Sequence, residues 1–240
     1  MAKYKIAGVV FEFNAKTKGA QKMLDEYVYS GDKPACFTFC ATEDDIAHER
    51  VGLIDSPSWY LESLALFRKL CEYVIDNHNG IIFHASTIAI EGKAYLFTAP
   101  SGTGKSTHVA MLREKLKDRA FMINDDKPII RYEDGEFYAY GTPWNGKHRL
   151  STNCRVKIEG ICKLYRADSN MIRKAEKKEM MVTILNQTLR FSDETRTDKL
   201  LFLIDKMLSE VKIYALGCNM DKEAAEVSYN GMVKGEVYEN

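Results

Sequence analysis

The chain has 240 residues, of which 45% are hydrophobic, and its 34 basic side chains balance 34 acidic ones. At about 150 residues per domain, this length predicts one large domain or two small ones, and the apolar content excludes a mainly disordered chain. A net charge of zero disfavours broad attraction to nucleic acid or anionic membranes, so we expect neither as a partner. No apolar run approaches the roughly 18 residues of a membrane span, and the start lacks a signal-peptide core. We therefore expect a cytoplasmic protein.

The first part of the chain, residues 1–79, is predicted to be a small β-rich portion that ends in a connecting helix. Residues 4–13 and 35–41 are rich in aromatic and β-branched side chains, which is typical of strands. The helix that follows has Ser56 as its capping residue, and Asn79 with the next glycine ends it. No sharp change in composition marks a boundary after this helix, so one continuous domain is the alternative to two.

The remainder, residues 80–240, is predicted to alternate strands and helices. The predicted strands are residues 81–90, 94–98, 120–123, 128–132, 136–140, 158–165 and 212–216. The predicted helices are residues 105–117, 177–189 and 197–210, with a last helix from residue 221. This order of elements predicts an α/β fold in which a mixed or largely parallel sheet is flanked by helices.

The most informative stretch is residues 99–107, Ala-Pro-Ser-Gly-Thr-Gly-Lys-Ser-Thr, between a predicted strand and a predicted helix. Its spacing matches a P-loop, with Ala99 in place of the usual first glycine. Gly102 and Gly104 permit the backbone turns that let successive N–H groups surround the phosphates of a nucleotide. The start of the next helix adds unsatisfied N–H groups and the positive end of its dipole. A chance glycine-rich turn is the alternative.

These positions predict the contacts of a nucleotide triphosphate. Lys105 is expected to reach the β- and γ-phosphates, and the Ser106 hydroxyl is expected to bind Mg²⁺. The predicted nucleotide-binding residues are Ser101, Gly102, Thr103, Gly104, Lys105, Ser106 and Thr107. We therefore expect ATP and Mg²⁺ as cofactors, although no residue that reads the base is evident and ATP is assumed in preference to GTP.

Two adjacent carboxylates, Asp125 and Asp126, follow a short apolar strand. One of them can hold Mg²⁺, directly or through water, and the other can accept the proton of an attacking hydroxyl. The sequence does not decide which residue has which task. Because adjacent side chains of a strand point to opposite faces, the strand must end where Asp126 stands. A solvated turn is the alternative for an isolated pair of this kind.

These motifs resemble the HPr kinase and phosphoenolpyruvate (PEP) carboxykinase branch of P-loop proteins. The carboxylates stand on the strand directly after the first P-loop helix, as in that branch. His84 precedes the loop where HPr kinases have a His-Gly pair, and Ala85 departs from that pattern. The tryptophan-containing turn of residues 141–147 is similar to one in small HPr-kinase-like proteins related to RiPP and lasso-peptide modification kinases. The resemblance is good over residues 80–150 and thinner elsewhere.

The resemblance implies a P-loop HPr kinase/PEP carboxykinase-like sheet flanked by helices, and it assigns roles to individual residues. Lys105 is implied to bind phosphate and Ser106 to face the metal, while Asp125 and Asp126 are implied to be the catalytic and metal-binding carboxylates. His84 is implied to approach the transferred phosphate or the acceptor hydroxyl. Read without the resemblance, a histidine in the predicted strand 81–90 is better explained by packing or hydrogen bonding, and the motif context makes the two interpretations equal. Related kinases form oligomers, but the sequence fixes no subunit number.

The tryptophan-containing turn is predicted to be an acceptor or phosphate loop. Its residues are Trp144, Asn145, Gly146, Lys147 and Arg149. Lys147, Arg149 or the intervening His148 would neutralise negative charge that grows on the transferring phosphoryl group. The alternative is a tight loop with Trp144 packed beneath it, and the two interpretations are compatible.

Together these residues predict an enzyme, a kinase that uses ATP and Mg²⁺ to phosphorylate a hydroxyl, with serine of a protein or peptide as the first choice of acceptor. A kinase of a small hydroxyl-bearing molecule such as free serine is one alternative. A partner module that binds ATP without chemistry is another, and the complete set of phosphate, metal and acid residues argues against it. A carboxykinase is disfavoured because the chain is about half as long as that family needs. Nothing in the residues indicates the reverse phosphorolysis reaction.

Overall fold

The computed structural model describes residues 2–237, and internal contacts divide the chain into two units with their boundary between His78 and Asn79. Within its described residues, the first unit contains a three-stranded sheet and helices. Its strands are β1 (Ala2–Ile6), β2 (Val9–Phe13) and β3 (Thr38–Phe39). Its α-helices are α1 (Lys18–Met23), α2 (Glu43–Arg50) and α3 (Ser58–His78).

A β-hairpin replaces the single strand that was predicted for residues 4–13. Strands β1 and β2 are antiparallel, and they are joined by Ala7 and Gly8, whose φ angles are 48° and 79°. Two consecutive residues with positive φ form the turn whose twist suits a two-residue hairpin loop. Buried apolar residues lie on both sides of this turn. Gly8 is therefore the one residue in the sequence that indicates a turn here.

The first unit contains less strand and more helix than predicted. The strand predicted for residues 35–41 is reduced to the two residues of β3, and helices α1 and α2 were not predicted. Helix α3 confirms the predicted connecting helix, and its buried stripe includes Leu64, Phe67 and Val74. Helical residues therefore outnumber strand residues among the described residues of this unit.

Over residues 79–237, the second unit contains a nine-stranded mixed sheet flanked by helices. Its strands are β4 (Gly80–Ile82), β5 (Ser86–Ile90), β6 (Lys93–Thr98), β7 (Ala120–Asn124), β8 (Ile129–Glu133), β9 (Glu136–Tyr140), β10 (Arg155–Arg166), β11 (Met171–Lys174) and β12 (Lys212–Cys218). Its α-helices are α4 (Lys105–Leu116), α5 (Lys177–Leu185), α6 (Glu194–Glu210) and α7 (Glu223–Tyr229), and a π-helical turn (Asn230–Lys234) follows α7. The predicted α/β architecture with a mixed sheet is confirmed.

Strand β10 joins two differently built parts of this sheet. Its first residues pair antiparallel with β9, which continues to β8 and β4. From Ile158 onwards β10 pairs parallel with β6, and from Gly160 also parallel with β12. Strand β5 lies antiparallel between β6 and β7, and β11 is antiparallel to β12. The sheet curls because one long strand takes part in both the antiparallel and the parallel parts.

The predicted strand 81–90 is in fact two strands in different parts of the sheet. Strand β4 pairs with β8, whereas β5 pairs with β6 and β7. The chain crosses between them at residues 83–85, so His84 lies in a connection and not within a strand. Both strands are buried over their whole length, and the connection between them is three residues long, so the segment resembles one strand in sequence.

The strand directions bring several chain ends to one edge of the sheet, which we call the loop edge. Strands β6 and β10 are parallel, so Thr98 and Arg166 end there together. Strand β5 runs the other way and begins there with Ser86, while β7 ends there with Asn124. Helix α4 starts from this edge and packs Val109 and other apolar residues onto the sheet. Within residues 2–237, no helix has the length and apolar character required to cross a membrane.

Candidate functional site

The glycine-rich loop connects Thr98, the last residue of β6, to Lys105, the first residue of α4. Gly102 has a φ of 77°, and Gly104, which caps α4, has a φ of 111°. Residues that have a side chain rarely adopt such backbone angles. A Cβ atom added at either glycine would meet no described protein atom within 4 Å. The loop therefore needs glycine for its backbone shape, and the space on that side is open to a ligand.

Hydrogen bonds hold the loop in this shape. Thr103 donates its backbone N–H to the Pro100 carbonyl at 3.3 Å and its hydroxyl to the same carbonyl at 2.8 Å. From outside the loop, Arg166 at the end of β10 donates Nη2 to the carbonyl of Gly102 at 2.9 Å. A carbonyl that is bound from outside leaves the neighbouring N–H groups free to face inward, as an anion-binding loop requires.

Lys105 stands at the start of α4 and bends back over the loop. Its Nζ donates to the Ala99 carbonyl at 2.8 Å. Partial burial lowers the pKa of Lys105, and the negative charges of Asp126 and Asp125 oppose that shift. The lysine therefore lies within electrostatic reach of both carboxylates, and the structure brings these three predicted residues together.

Asn124, which the sequence analysis did not single out, shapes the chain at the end of β7. Its buried side chain accepts the backbone N–H groups of Asp126 at 2.8 Å and Lys127 at 2.6 Å. Its Nδ2 donates to the carbonyl oxygen of Thr142 at 2.9 Å and to the Thr142 hydroxyl at 3.0 Å. This capping ends the strand and turns the chain, which is why Asp125 and Asp126 have different environments.

Asp125 is buried, and Asp126 is partly exposed. Asp125 accepts a hydrogen bond from the Ser86 hydroxyl on Oδ1 at 2.6 Å. Asp126 forms an ion pair with Lys127, with 2.9 Å between Oδ2 and Nζ, and its carbonyl accepts the Ala85 N–H at 3.2 Å. The two acids therefore present one fixed and one more accessible carboxylate at the loop edge.

His84 lies between β4 and β5, next to these acids. Its N–H donates to the Gln187 carbonyl at 2.8 Å, and its own carbonyl accepts the Thr98 hydroxyl at 3.0 Å. The residue is exposed at the edge, yet the protein around the imidazole removes part of its hydration and lowers the pKa of His84. Asp126 opposes this shift, whereas Lys127 and Lys105 add to it. His84 thus lies in the same electrostatic environment as Lys105 and Asp126.

The tryptophan-containing turn lies against Asp126. A Cβ atom added at Gly146, where φ is 70°, would be 3.1 Å from Cβ of Asp126. Trp144 is buried, and Asn145 donates Nδ2 to the Ser151 hydroxyl oxygen at 2.8 Å, so the turn is anchored on both sides. Lys147, His148 and Arg149 are exposed. The packed tryptophan and the exposed basic residues occur together in one turn.

The residues available for a metal ion are few. Within residues 2–237, no group of three or more His, Cys, Asp or Glu side chains is arranged to hold a metal. The Ser106 hydroxyl is partly buried on the first turn of α4 and has no hydrogen-bond partner in the described part of the chain. In donor chemistry, Ser106 and the two carboxylates suit Mg²⁺, which takes oxygen ligands.

Ser86, Asn124 and Arg166 complete the site, and the sequence analysis missed all three. Asn124 directly precedes the acid pair, so its capping could have been suspected from sequence. Ser86 and Arg166 reach the site only through strand pairing, for which the local pattern gives no signal. A cavity of about 470 Å³ lies elsewhere, lined by residues of β11, β12 and the segment 232–237, and contains none of the predicted site residues.

Among the comparisons with known proteins, the search of solved structures gives a slight likeness. No family model matches the sequence, and no curated protein matches it. Among solved structures, the chain is similar to the HPr(Ser) kinase/phosphatase from Coxiella burnetii, with 12% identity and a TM-score of 0.38. The alignment covers 65% of this chain and 92% of that chain. A likeness this slight carries no conclusion about function.

Proposed function

We propose that this chain is a kinase that uses ATP and Mg²⁺ to phosphorylate a hydroxyl, with a serine of a protein or peptide as the acceptor. One observation carries the proposal: Lys105, at the start of the helix behind the glycine-rich loop, is within electrostatic reach of the adjacent carboxylates Asp125 and Asp126. Phosphoryl transfer needs this combination of a phosphate cradle, a cation and acids for the metal and the acceptor.

The nucleotide would bind in the loop of residues 99–107. The backbone N–H groups of the loop and the start of α4 would surround the phosphates, and the open side of Gly102 and Gly104 leaves room for them. Lys105 would exchange its bond to the Ala99 carbonyl for one to the β- or γ-phosphate. That exchange replaces a neutral acceptor with an anionic one, which strengthens the hydrogen bond.

The metal would be held between the triphosphate and the protein. Ser106 offers a free hydroxyl, and Asp125 offers a carboxylate whose orientation is fixed by Ser86. When bound, Mg²⁺ neutralises charge on the β- and γ-phosphates. We assign Asp125 to this task because a buried, hydrogen-bonded carboxylate keeps its position while a flexible substrate comes and goes.

Asp126 is the better placed group for the acceptor. It is partly exposed and lies against the Gly146 turn, where a substrate from solvent can approach. The acceptor oxygen forms a bond to the γ-phosphorus, the bond from that phosphorus to the β,γ-bridging oxygen breaks, and ADP leaves. The proton of the hydroxyl passes to Asp126. His84, whose lowered pKa favours the neutral imidazole, can hydrogen-bond the acceptor or the transferred group.

Label transfer from γ-labelled ATP in the presence of Mg²⁺ tests this function, with a peptide pool and free serine as acceptors. Label on peptide serine supports the proposal, label in free phosphoserine supports the small-acceptor alternative, and ATP binding without turnover supports a binding module. Asp126→Asn should lower the transfer rate by about 10²–10⁴ and leave ATP affinity unchanged. Asp125→Asn should raise the Mg²⁺ concentration needed for half-maximal rate.

Asp134→Asn is a matched control for both substitutions. Asp134 is exposed in the turn between β8 and β9, and its φ of 52° is a conformation that asparagine adopts readily. This variant should transfer phosphate like the parent. If Asp125→Asn and Asp126→Asn also match the parent, the proposed chemistry is wrong.

A further inference from the structure

Among the residues that the structure describes, three consecutive basic residues beside the proposed site have no acidic partner. Lys147, His148 and Arg149, which we call the basic turn, are exposed, and none of them forms a hydrogen bond or ion pair within residues 2–237. The other cations near the loop are engaged: Lys127 pairs with Asp126, and Arg166 donates to Gly102. The basic turn is therefore an uncompensated positive surface.

The basic turn lies next to the carboxylate that we assign to the acceptor. The position of a Cβ atom on Gly146, the residue before Lys147, is 3.1 Å from Cβ of Asp126 and 3.9 Å from its Oδ2. The positive charges that follow are thus attached to a backbone that passes so close to Asp126 that a Cβ atom at Gly146 would crowd it. Any acceptor hydroxyl that approaches Asp126 from this side passes the basic turn.

The backbone under these charges has a defined shape. Trp144 is buried before the turn, and the Leu150 carbonyl accepts the Asp125 N–H at 3.1 Å after it. Arg149 has a φ of 52°. This conformation is unfavourable for any residue that has a side chain, and it persists where the surrounding structure imposes it. The positive groups therefore start from fixed positions relative to both acids.

We propose that the basic turn binds a carboxylate close to the acceptor hydroxyl, so that the preferred acceptor is a serine flanked by acidic groups. This inference rests on the proposed kinase function. Asp125 and Asp126 repel an acidic acceptor, but the exposed charges of Lys147 and Arg149 attract it and outweigh that repulsion. A neutral acceptor gains nothing from them. Charge complementarity of this kind selects between otherwise similar partners.

The experiment compares kcat/KM for two serine peptides that differ only in having Glu or Gln on both sides of the serine. The parent should prefer the Glu peptide by roughly tenfold, and the preference should shrink as salt is added. The double variant Lys147→Ala/Arg149→Ala should lose the preference through a higher KM for the Glu peptide, with KM for ATP unchanged.

The charge-preserving variant Lys147→Arg/Arg149→Lys should keep the preference for the Glu peptide. Lys178→Ala, an exposed lysine at the start of α5, is the control and should behave like the parent.

Free serine and serinamide, added as further acceptors, identify the source of the carboxylate. A higher kcat/KM for serine than for serinamide, lost in the double variant, would support carboxylate recognition with a small acceptor. Equal kcat/KM for the Glu and Gln peptides, and for serine and serinamide, would overturn the inference and leave the kinase standing. Absence of transfer to every acceptor would overturn the kinase itself, and the inference with it.

Discussion

Ser86 donates its hydroxyl to Oδ1 of Asp125 at 2.6 Å, and both side chains are buried at the loop edge of the sheet. Ser86 begins β5, and Asp125 follows β7, the antiparallel neighbour of β5. A hydroxyl bound to a carboxylate makes a strong, charge-assisted hydrogen bond. The pairing of two strands therefore fixes the orientation of one of the two proposed functional acids.

Ser86→Ala should impair catalysis more than nucleotide binding. Without the hydroxyl, Asp125 loses its fixed orientation, and we expect a roughly tenfold lower transfer rate with a higher Mg²⁺ requirement. The buried carboxylate also loses a hydrogen bond, which should cost about 1–3 kcal/mol in the free energy of unfolding. Label-transfer assays over a Mg²⁺ series and urea denaturation measure the two effects.

Ser192→Ala is the matched control for this substitution, because Ser192 is exposed and its change removes the same atom. It should alter neither the rate nor the stability. If the Ser86→Ala protein had the same Mg²⁺ dependence as the parent, Ser86 would not be the residue that positions Asp125.

Arg166→Ala should weaken ATP binding. The guanidinium holds the Gly102 carbonyl at 2.9 Å, so its loss frees the loop to adopt shapes that do not bind phosphate. Because Arg166 is exposed, the effect should be modest, about three- to tenfold in KM for ATP with kcat nearly unchanged. Arg190→Ala, at another exposed arginine, should leave both constants as in the parent. A lower kcat with an unchanged KM would contradict this positioning role.

Lys105→Met should abolish most of the nucleotide affinity. Methionine keeps the length of the side chain but supplies no charge to the phosphates, and the Ala99 carbonyl loses its donor. We expect Kd for ATP to rise by at least about tenfold, as measured by calorimetry in the presence of Mg²⁺. Lys178→Met serves as the control. If Lys105→Met bound ATP as tightly as the parent, the loop of residues 99–107 would not be the nucleotide site.

The parts of the structure that could be predicted from sequence are those that local pattern determines. The loop of residues 99–107 lies between a strand and a helix because glycine positions and apolar spacing act over a few residues. The same holds for the end of β7 before Asp125. Helix α2, which was missed, also has a local signal, since Thr42 and Asp45 form a capping box at its start.

The missed features depend on contacts between distant segments. The crossing at residues 83–85 arises because β4 and β5 pair with different strands, and the residues of a strand do not identify its pairing partner. Arg166 meets Gly102 because β10 and β6 are parallel neighbours. Strand order is not encoded in any short window of sequence, so these residues could be found only in the folded chain.

The stability of the protein should fall in mild acid because of His108, which is on the buried side of α4. Its Nε2 is 3.0 Å from the Ser228 hydroxyl oxygen and its ring packs on Phe97, so its nearest partners carry no charge. Burial lowers the pKa of His108 to about 4. The unfolded chain, with an ordinary histidine pKa near 6.5, therefore binds the proton more readily.

The stabilising effect of the neutral imidazole is thus complete above about pH 6.5 and is lost as the pH falls towards 4. The loss over this interval should be about 3 kcal/mol in the free energy of unfolding. Urea denaturation at several pH values measures it, and His108→Gln, which cannot titrate but can still bond Ser228, is the comparison. Other groups that titrate in this range act equally in both proteins, so the difference between the two pH profiles isolates His108. Parallel profiles would show that this histidine is protonated as easily in the folded chain as in the unfolded one.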